Sequence, residues 1–381
     1  MAEKQILIIA GESSSDLYAK HLIRELKKNI PQIKFFGLGG PRMLKEEKDI
    51  QDITHLASVG FWEVLKNFRK FKNIFNQTVK EVENKKPLAA ILVDYPGFNL
   101  KLAQVLKKKR IPVIYYISPQ IWAWAKGRIK KIKKYVDLML VFFKFEEELY
   151  RREGINATFV GHPLLEIVKP ALGKEDFLKK FNLPATNYTI SLLAGSRRAE
   201  VKMHLPLMLK TASYIYKKIK DVKFLILKPA ELSETYYENI KSYPLPIYLI
   251  SNNTYNGLSI SDFAMVCAGT ATLETAILGV PMVIIYKTSL FNWLIIRPLI
   301  KIPYIGMVNI VADRKIVPEF IQYKIKPFSI ASYIIEMFNR QEELNQQREE
   351  LLKIKSQLGT LGAIPKSAEI ISSFLKEKKI I

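Results

Sequence analysis

Cysteine and histidine are scarce in this chain of 381 residues, which has one cysteine, Cys267, and four histidines. A single cysteine cannot form an internal disulfide, so the sequence excludes a disulfide-stapled secreted scaffold and a cysteine-rich metal site. His, Cys and acidic residues nowhere share the spacing of metal ligands, and the chain has no Asp-x-Asp pair. We therefore predict no metal site, and we expect no cofactor.

Long apolar runs are also missing. The longest, residues 290–305, is interrupted by Arg297, Pro298, Lys301 and Pro303 and falls short of the ~20 residues that span a bilayer. The N-terminus leads straight into a short apolar strand and lacks the charged region, the long apolar region and the cleavage site of a signal peptide. From these absences we expect a cytoplasmic protein.

Acidic residues are outnumbered: 36 Asp and Glu stand against 59 Lys and Arg, so the formal net charge is +23. The excess is nearly equal in residues 1–168 and in the remainder, which excludes a basic tail as its source. Nucleic acid, an anionic membrane surface and phosphorylated small substrates are the partners compatible with this charge. Since hydrophobic residues make up 49% of the chain, it can bury a sizeable core, and wholesale disorder is excluded.

Apolar strand-like runs alternate with helical segments in residues 1–168, and the alternation restarts after the polar residues 169–187. Nearly all-apolar strands are typical of parallel sheets that are covered on both faces. We therefore predict an α/β protein of the GT-B type, with two Rossmann-like domains (1–168 and 169–345) facing each other across a cleft. Residues 346–381 are predicted to form C-terminal helices that pack back on the first domain.

The predicted strands are residues 5–10, 34–37, 88–93, 112–117, 138–142, 158–160, 188–193, 223–227, 247–250, 263–266 and 282–286. The predicted helices are residues 14–28, 61–84, 100–109, 120–136, 145–153, 200–218 and 270–278, with helices only in 330–375. The GT-B arrangement is shared by many nucleotide-sugar glycosyltransferases, but a fold alone does not fix function, so the chemistry-bearing residues must decide it.

Two acidic residues follow predicted strands of the first domain. Glu12 lies in the segment Gly-Glu-Ser-Ser-Ser-Asp at residues 11–16, and Asp94 begins the segment Asp-Tyr-Pro-Gly-Phe-Asn. Open α/β sheets bind ligands at the carboxyl ends of their strands, where an aspartate could accept a proton from an attacking hydroxyl. Local alternatives stay open: Ser14 or Ser15 could cap the following helix, and Asp94 could simply shape a turn before proline.

Two glycine turns of the second domain suit a phosphate. Arg197 follows Gly195 and Ser196 at the end of a predicted strand, where its guanidinium could make bidentate contact with a diphosphate. Residues 268–274, Ala-Gly-Thr-Ala-Thr-Leu-Glu, begin a predicted helix whose N-terminus would be open to a phosphate. A capping box is the alternative there, but Leu273 stands where that box needs Glu or Gln.

An aromatic stripe runs along one predicted helix of the first domain. Val64, Phe68, Phe71 and Phe75 recur at helical spacing, and cationic side chains flank them. A helix packed on the core produces the same stripe, whereas large aromatics edged by cations also describe a helix that lies on anionic lipid. Both interpretations stay open, and residues 290–305 offer a second candidate lipid-facing patch.

A basic run follows two tryptophans, Trp122 and Trp124, with Lys or Arg at six positions of residues 126–134. Such a helix could face phosphate, although a charge run is more often a solvated face. His162 stands where the predicted first domain ends, so a hinge or interdomain role suits it as well as a catalytic one.

Taken together, these motifs resemble those of the lipid-A-disaccharide synthases, a bacterial family of glycosyltransferases (family 19), in order and over nearly the whole chain. The matching segments are residues 11–16, 39–43, 60–65, 94–99, 116–124, 159–164, 195–197 with 200–201, 269–274, 281–283 with 286–287, and Asn309. The resemblance implies an inverting, metal-independent reaction. In that reaction, UDP-2,3-diacylglucosamine and 2,3-diacylglucosamine 1-phosphate (lipid X) give a β-1,6-linked tetraacyl disaccharide 1-phosphate and UDP.

The resemblance also implies residue roles. Asp94 would be the base that deprotonates the acceptor's 6-hydroxyl, and Glu12 would be a second essential acid near the acceptor. The residues implied on the donor side, holding UDP or shaping its pocket, are Gly195, Ser196, Arg197, Gly269, Thr270, Ala271, Thr272, Glu274 and Asn309. Those that would face the acceptor or the membrane are Val64, Leu65, Phe68, Phe71 and Phe75. The protein would lie peripherally on the anionic inner face of the inner membrane, without nucleic acid as a partner.

Three positions depart from the pattern of this family. Ser15 stands where glycine is usual, Gly97 replaces an acid, and Ala194 replaces a proline. None of these changes removes a residue to which we assign chemistry. A UDP-N-acetylglucosamine 2-epimerase, which would also bind UDP in the second domain, is the main alternative. A basic nucleic-acid-binding protein is disfavoured, because the aromatics lie in apolar stripes and not in a known binding motif.

Overall fold

The computed structural model describes residues 4–53, 68–119, 126–297 and 302–381 of the chain. These residues form two compact units. The first contains the described residues up to Pro163, Ile296, Arg297 and Leu358–Ile381. The second contains Leu164–Ile295 and Ile302–Gln357. Within the described ranges, no helix is long and apolar enough to cross a membrane.

The first unit is built on a seven-stranded sheet with the order β3-β2-β1-β4-β5-β6-β7, in which all neighbours are parallel. Its strands are β1 (Lys4–Ala10), β2 (Ile33–Gly39), β3 (Ile50–Asp52), β4 (Ala89–Val93), β5 (Val113–Tyr116), β6 (Leu138–Val141) and β7 (Ala157–Phe159). Strands β4, β5 and β6 are buried along their whole length. Burial on both faces explains why their sequences are almost purely apolar.

Helices connect these parallel strands, because a parallel pair needs a crossover. They are α1 (Ser13–Asn29), α2 (Pro41–Leu44), α3 (Phe68–Lys85), α4 (Pro96–Lys108), α5 (Ile129–Tyr135) and α6 (Lys144–Arg152), with a 3-10 turn at Lys126–Arg128. Helix α1 illustrates why these segments are helical: Leu22, Ile23 and Leu26 recur at helical spacing and are all buried.

The second unit has a six-stranded, wholly parallel sheet with the order β10-β9-β8-β11-β12-β13. Its strands are β8 (Tyr188–Leu193), β9 (Val222–Lys228), β10 (Ile247–Ser251), β11 (Phe263–Cys267), β12 (Met282–Tyr286) and β13 (Glu319–Ile321). The helices are α7 (Leu164–Ile167), α8 (Lys174–Lys180), α9 (Arg198–Lys218), α10 (Thr254–Ser259), α11 (Ala271–Ile277), α12 (Leu290–Ile296), α13 (Met307–Ala312), α14 (Pro327–Asn339) and α15 (Gln341–Gln357). Two 3-10 helices, Glu234–Ser242 and Gln322–Lys324, complete the unit. Two α/β units with parallel sheets confirm the predicted fold class.

The last two helices belong to different units: residues up to Gln357 are part of the second unit, and Leu358–Ile381 are part of the first. Helix α15 packs on α11 and α14 of the second unit. Its Gln347 side chain accepts a hydrogen bond from the Met282 backbone N–H at 2.9 Å, at the start of β12. The final helix, α16 (Ala363–Glu377), packs against α1 of the first unit.

Candidate active site

Glu12 and Asp94 lie at the same edge of the first sheet. Strands β1 and β4 are parallel neighbours whose last residues, Ala10 and Val93, are paired. Asp94 follows β4 directly, and Glu12 comes two residues after β1, at the N-terminus of α1. Both side chains are partly exposed. The structure therefore brings the two predicted acids to the edge at which open α/β sheets bind ligands.

The backbone that carries Asp94 has an unusual conformation. Asp94 and Tyr95 have φ angles of 47° and 48°, both in the left-handed region, although neither is glycine. This conformation costs an L-residue about 1–2 kcal/mol, and residues held in it cluster at active sites. The Asp94 carbonyl oxygen accepts two hydrogen bonds, from the Tyr115 hydroxyl at 2.6 Å and from Asn99 Nδ2 at 2.7 Å.

The Tyr95 side chain connects the turn that carries Asp94 with the turn that carries Glu12. Its ring lies against Gly11, where a Cβ atom would sit 2.4 Å from the ring, so glycine is required beside Glu12. Burial and, to a smaller extent, the negative charge of Glu12 raise the pKa of the Tyr95 phenol above its ordinary value. Phe98 stacks on the same ring with centroids 5.8 Å apart. A neutral aromatic side chain thus joins the turn of Glu12 to the turn of Asp94.

Asp16, at the end of the first motif, has a structural role that the sequence did not reveal. It is fully buried, and its carboxylate accepts hydrogen bonds from the backbone N–H groups of Gly40, Arg42 and Met43 at 2.9, 3.1 and 2.9 Å. Burial nevertheless raises the pKa of Asp16, because these bonds offset only part of the lost hydration. Asp16 therefore holds the N-terminus of α2 against α1.

The capping alternative for the first motif is wrong. Helix α1 begins at Ser13 with Glu12 as its N-cap, so Ser14 and Ser15 lie inside the helix. Within the described residues, no side-chain hydrogen bond caps α1. At a second departure, Gly97, a Cβ atom would meet no described atom within 4 Å, so the position has room for a side chain.

The aromatic stripe divides into a described part and an undescribed part. Val64 and Leu65 lie outside the described residues, as does the side chain of Phe68. Phe71 and Phe75 are half-buried and pack on the core of the first unit. The Phe75 ring lies 5.3 Å from that of Phe98, centroid to centroid. For Phe71 and Phe75, the structure favours the core interpretation over the membrane-facing one.

The structure describes the basic run but not the two tryptophans before it. Trp122 and Trp124 lie outside the described residues, whereas Arg128 lies within electrostatic range of Asp94. Burial lowers the pKa of Arg128, and the charge of Asp94 counteracts this.

His162 is buried against the ring of Phe142, 5.0 Å between centroids. Burial lowers the pKa of His162 to about 3. A neutral, enclosed imidazole is a core residue and does not suit a catalytic role.

The two glycine turns of the second unit also share one sheet edge. Strands β8 and β11 are parallel neighbours, with Leu193 paired to Val266. The turn of Gly195 follows β8, and the turn of Gly269 follows β11. Both glycines have positive φ angles, 124° and 143°. The structure therefore brings together the two segments to which we assign the donor.

The Glu200 carboxylate accepts hydrogen bonds from the turn of Gly195. Its Oε2 accepts hydrogen bonds from the backbone N–H groups of Ser196 at 2.9 Å and Arg197 at 3.3 Å, and its Oε1 accepts one from Arg197 Nη1 at 2.9 Å. A Cβ on Gly195 would sit 2.5 Å from Glu200 Cβ, so this close approach requires glycine. The sequence placed Glu200 in a matching segment but did not reveal that it holds Arg197.

Some side chains of the Gly269 turn are partly exposed, and others are buried. Thr270 and Ala271 are half-buried at the start of α11. Glu274 Oε1 accepts a hydrogen bond from the Tyr255 hydroxyl at 3.2 Å. Thr272, however, is fully buried and donates to the Gly269 carbonyl at 2.8 Å. The Thr272 side chain therefore stabilises the turn from inside, and the assignment of this residue to the donor side stays a prediction.

Asn309 also has a structural role. It is fully buried, and its Nδ2 donates to the Val317 carbonyl and to Glu319 Oε1, both at 2.9 Å. Its Oδ1 accepts from the backbone N–H groups of Ile316 at 2.9 Å and Val317 at 3.0 Å. The amide's hydrogen-bonding capacity is used within the protein, so a direct contact of this side chain with UDP stays a prediction. Asn309 fixes the loop that leads into β13.

Both units have their chemistry-bearing residues at the carboxyl edge of a parallel sheet. The described residues contain no group of three His, Cys, Asp or Glu that could hold a metal ion.

Solved structures with this fold cover nearly the whole chain. UDP-GlcNAc 2-epimerase from Neisseria meningitidis bound to UDP-GlcNAc covers 98% of this chain and 100% of its own, at a TM-score of 0.63 and 16% identity. MurG of Acinetobacter baumannii covers 97% and 99%, at a TM-score of 0.55 and 14% identity. At these identities the likeness shows the fold alone, and it defines the class as GT-B.

Sequence relatives identify the family. The chain matches the family model described as lipid-A-disaccharide synthetase over residues 6–370. It is 40% identical to the lipid-A-disaccharide synthase of Syntrophus aciditrophicus over 380 residues, which is 99% of each chain. It is 36% identical to that of Coxiella burnetii (strain CbuG_Q212) over 377 residues, 98% of this chain and 100% of the other. The chain belongs to the lipid-A-disaccharide synthase family and is a glycosyltransferase, as the ordered motifs predicted.

Proposed function

We propose that the protein transfers 2,3-diacylglucosamine from UDP-2,3-diacylglucosamine to the 6-hydroxyl of 2,3-diacylglucosamine 1-phosphate (lipid X). The products are a β-1,6-linked tetraacyl disaccharide 1-phosphate and UDP. The observation that carries this proposal is the position of Asp94, which follows β4 at the ligand-binding edge of the first sheet, beside the turn of Glu12. Membership of the lipid-A-disaccharide synthase family supports the same reaction.

The proposed chemistry is a single displacement that inverts the anomeric carbon of the donor sugar. Asp94 accepts the proton of the acceptor's 6-hydroxyl while that oxygen forms its bond to the anomeric carbon. The bond between this carbon and the diphosphate oxygen breaks, and UDP leaves with the electron pair. Glu12 acts beside Asp94 as the second acid near the acceptor. No metal ion takes part in this proposal.

The negative charge that develops on departing UDP needs positive partners when no metal supplies them. Arg197 and the backbone N–H groups of Ser196 and Arg197 already converge on one anionic group, the Glu200 carboxylate. In the proposed complex, a diphosphate oxygen displaces the Glu200 carboxylate from these donors. The side chains that we retain on the donor side are Ser196, Arg197, Thr270, Ala271 and Glu274, with Gly195 and Gly269 shaping the turns. Thr272 and Asn309 act only through the backbone that they hold.

We also propose that the protein works in the cytoplasm, attached peripherally to the anionic inner face of the inner membrane. Both proposed substrates carry acyl chains, and the chain has a net charge of +23. Helix α12 supports this location, because its Leu290 and Leu294 side chains are 66% and 64% exposed. Lys287 and Arg297, at either end of this helix, are exposed cations. Exposed apolar side chains beside cations are typical of surfaces that meet anionic lipid.

The proposed reaction is tested by incubating the purified protein with the acylated donor and lipid X and identifying products by mass. We expect the tetraacyl disaccharide 1-phosphate and one UDP for each disaccharide, with the same rate in the presence of EDTA. The donor without lipid X should release little UDP. Conversion of the donor alone into an epimer would contradict the transferase proposal and favour an epimerase, and loss of activity with EDTA would contradict the metal-independent reaction.

A further inference from the structure

Two buried side chains hold the Asp94 backbone from two directions. Asn99 lies in the first turn of α4, and Tyr115 lies on β5, the strand next to β4. Both are fully buried, and their donors converge on the Asp94 carbonyl oxygen at 2.7 and 2.6 Å. Asn99 Nδ2 also lies 3.3 Å from the Val93 carbonyl oxygen. Two convergent donors from different elements fix the direction in which the Asp94 carbonyl points.

The left-handed pair at Asp94 and Tyr95 needs such a restraint. Aspartate tolerates this region, but a bulky residue such as tyrosine is rarely found there. If the peptide between them rotated towards an extended conformation, the buried donors of Asn99 and Tyr115 would lose their acceptor, which is unfavourable. The same backbone angles set the direction of the Asp94 side chain. Loss of the restraint would therefore let the carboxylate turn away from the sheet edge.

We propose that Asn99 and Tyr115 are positioning residues that hold the left-handed Asp94–Tyr95 turn and thereby aim the Asp94 carboxylate. We call these two side chains the Asp94 clamp. The inference rests on the proposed function, since it takes Asp94 as the base, and it adds which residues direct that base. The clamp acts through the backbone of Asp94 and not through the substrate.

The hydroxyl of Tyr115 stays available as a donor. Burial first, and then the negative charge of Asp94, raise the pKa of Tyr115 well above its ordinary value. A phenolate could not donate to a carbonyl, so the protonated form is the one that the clamp requires.

Tyr115→Phe tests the clamp by deleting one oxygen atom. We expect kcat for disaccharide formation to fall about ten- to a hundredfold, the range expected when a catalytic group is misplaced by about 1 Å. KM for the donor and Kd for UDP should stay near the wild-type values, because the proposed UDP site lies in the second unit. Tyr116→Phe is the matched control, since Tyr116 is the next residue of β5, is equally buried and packs on Phe142. Equal kcat in Tyr115→Phe and in wild type would overturn the proposal.

A second comparison tests whether the clamp acts through the left-handed turn. In the Asn99→Ala background, Tyr95→Gly and Tyr95→Ala both remove the ring, but only glycine adopts a positive φ without strain. We expect the glycine variant to have about fivefold higher kcat than the alanine variant, as relief of left-handed strain implies. Equal kcat in the two double variants would show that the turn is not what the clamp controls.

The clamp and the proposed function fail in different ways. If Asp94→Asn keeps wild-type kcat, then Asp94 is not the base, whatever the clamp does. Hydrogen exchange at the amides of Tyr95 and residues 97–99, read by mass spectrometry, tests the clamp without turnover. Tyr115→Phe should speed exchange there about tenfold through local opening, and unchanged exchange would overturn the clamp even if kcat fell. Should Asn99→Ala not fold, Tyr115→Phe still decides the matter by both measurements.

Discussion

His204 Nε2 accepts a hydrogen bond from the backbone N–H of Lys287 at 2.9 Å. Its Nδ1 lies 3.1 Å from the Ala194 carbonyl oxygen, so Nδ1 carries the proton and donates. The side chain is fully buried, and burial lowers the pKa of His204. One neutral imidazole thus joins the residue before the Gly195 turn to the residue after β12.

His204→Leu should weaken UDP binding about tenfold. The substitution leaves the Lys287 N–H and the Ala194 carbonyl without their partner, which costs about 1–3 kcal/mol when such groups are buried, and the turn that carries Arg197 loses its anchor. Isothermal titration with UDP measures the effect. His21→Leu, the same change in the first unit, is the control and should leave Kd unchanged. Equal Kd values for the two variants would show that His204 does not support the donor site.

His162 should make the free energy of unfolding depend on pH. Its pKa is about 3 in the folded protein and about 6.5 in the unfolded chain. As pH falls below 6.5, only the unfolded chain takes up this proton, so the folded state loses about 1.4 kcal/mol of stability per pH unit, or about 2 kcal/mol by pH 5. Chemical denaturation at pH 7, 6 and 5 should show this loss in the wild type relative to His162→Phe. Parallel stability curves for the two proteins would refute the assignment.

Asn309→Asp should destabilise the protein by about 3–5 kcal/mol, because it puts a carboxylate against Glu319 and removes both donated hydrogen bonds. Thermal and denaturant unfolding measure the loss. Asn239→Asp, at an exposed position, should change stability by less than about 0.5 kcal/mol. If Asn309→Asp instead weakened UDP binding at wild-type stability, Asn309 would be a ligand and not a support for the loop before β13.

Much of both sheets could be predicted from the sequence, because buried parallel strands are apolar runs that flanking helices interrupt. Two of the four edge strands, β3 and β13, could not. β3 (Ile50–Asp52) and β13 (Glu319–Ile321) have three residues each and include polar ones. Pairing with a neighbouring strand determines their structure, and their own composition does not. Helix α8 in the polar stretch 169–187 was missed because only Phe177 of its residues is buried.

The candidate site shows a similar division. The sequence shows an apolar strand followed by Asp94, which predicts that Asp94 lies at the carboxyl edge of the sheet. Motifs cannot distinguish side chains that face a ligand from those that hold a loop, since both occur at the same turns. Thr272 and Asn309 were predicted as donor-side residues and are enclosed, whereas the clamp residue Tyr115 was not singled out, because it lies inside an apolar strand.

Helix α12 should contribute to membrane binding. Leu290→Glu combined with Leu294→Glu should reduce binding to vesicles containing anionic phospholipid about tenfold or more, because two exposed apolar side chains leave the lipid interface and two negative charges enter it. Sedimentation with vesicles measures this. Leu361→Glu is the control, since Leu361 is 68% exposed but lies outside this helix. Equal loss in the control would mean that net charge alone governs binding, and no loss in either variant would remove α12 from the membrane surface.

The most direct test of the proposed chemistry is kcat of Asp94→Asn with the acylated donor and lipid X, measured together with Kd for UDP. Asparagine keeps the shape of the side chain and its tolerance of the left-handed backbone but cannot act as the base. Removing that base should lower kcat by about 10²–10⁴ while Kd for UDP stays near the wild-type value. Asp49→Asn, at an exposed ion pair with Lys85, should turn over like the wild type. Wild-type turnover in Asp94→Asn would contradict the assignment of Asp94 as the base.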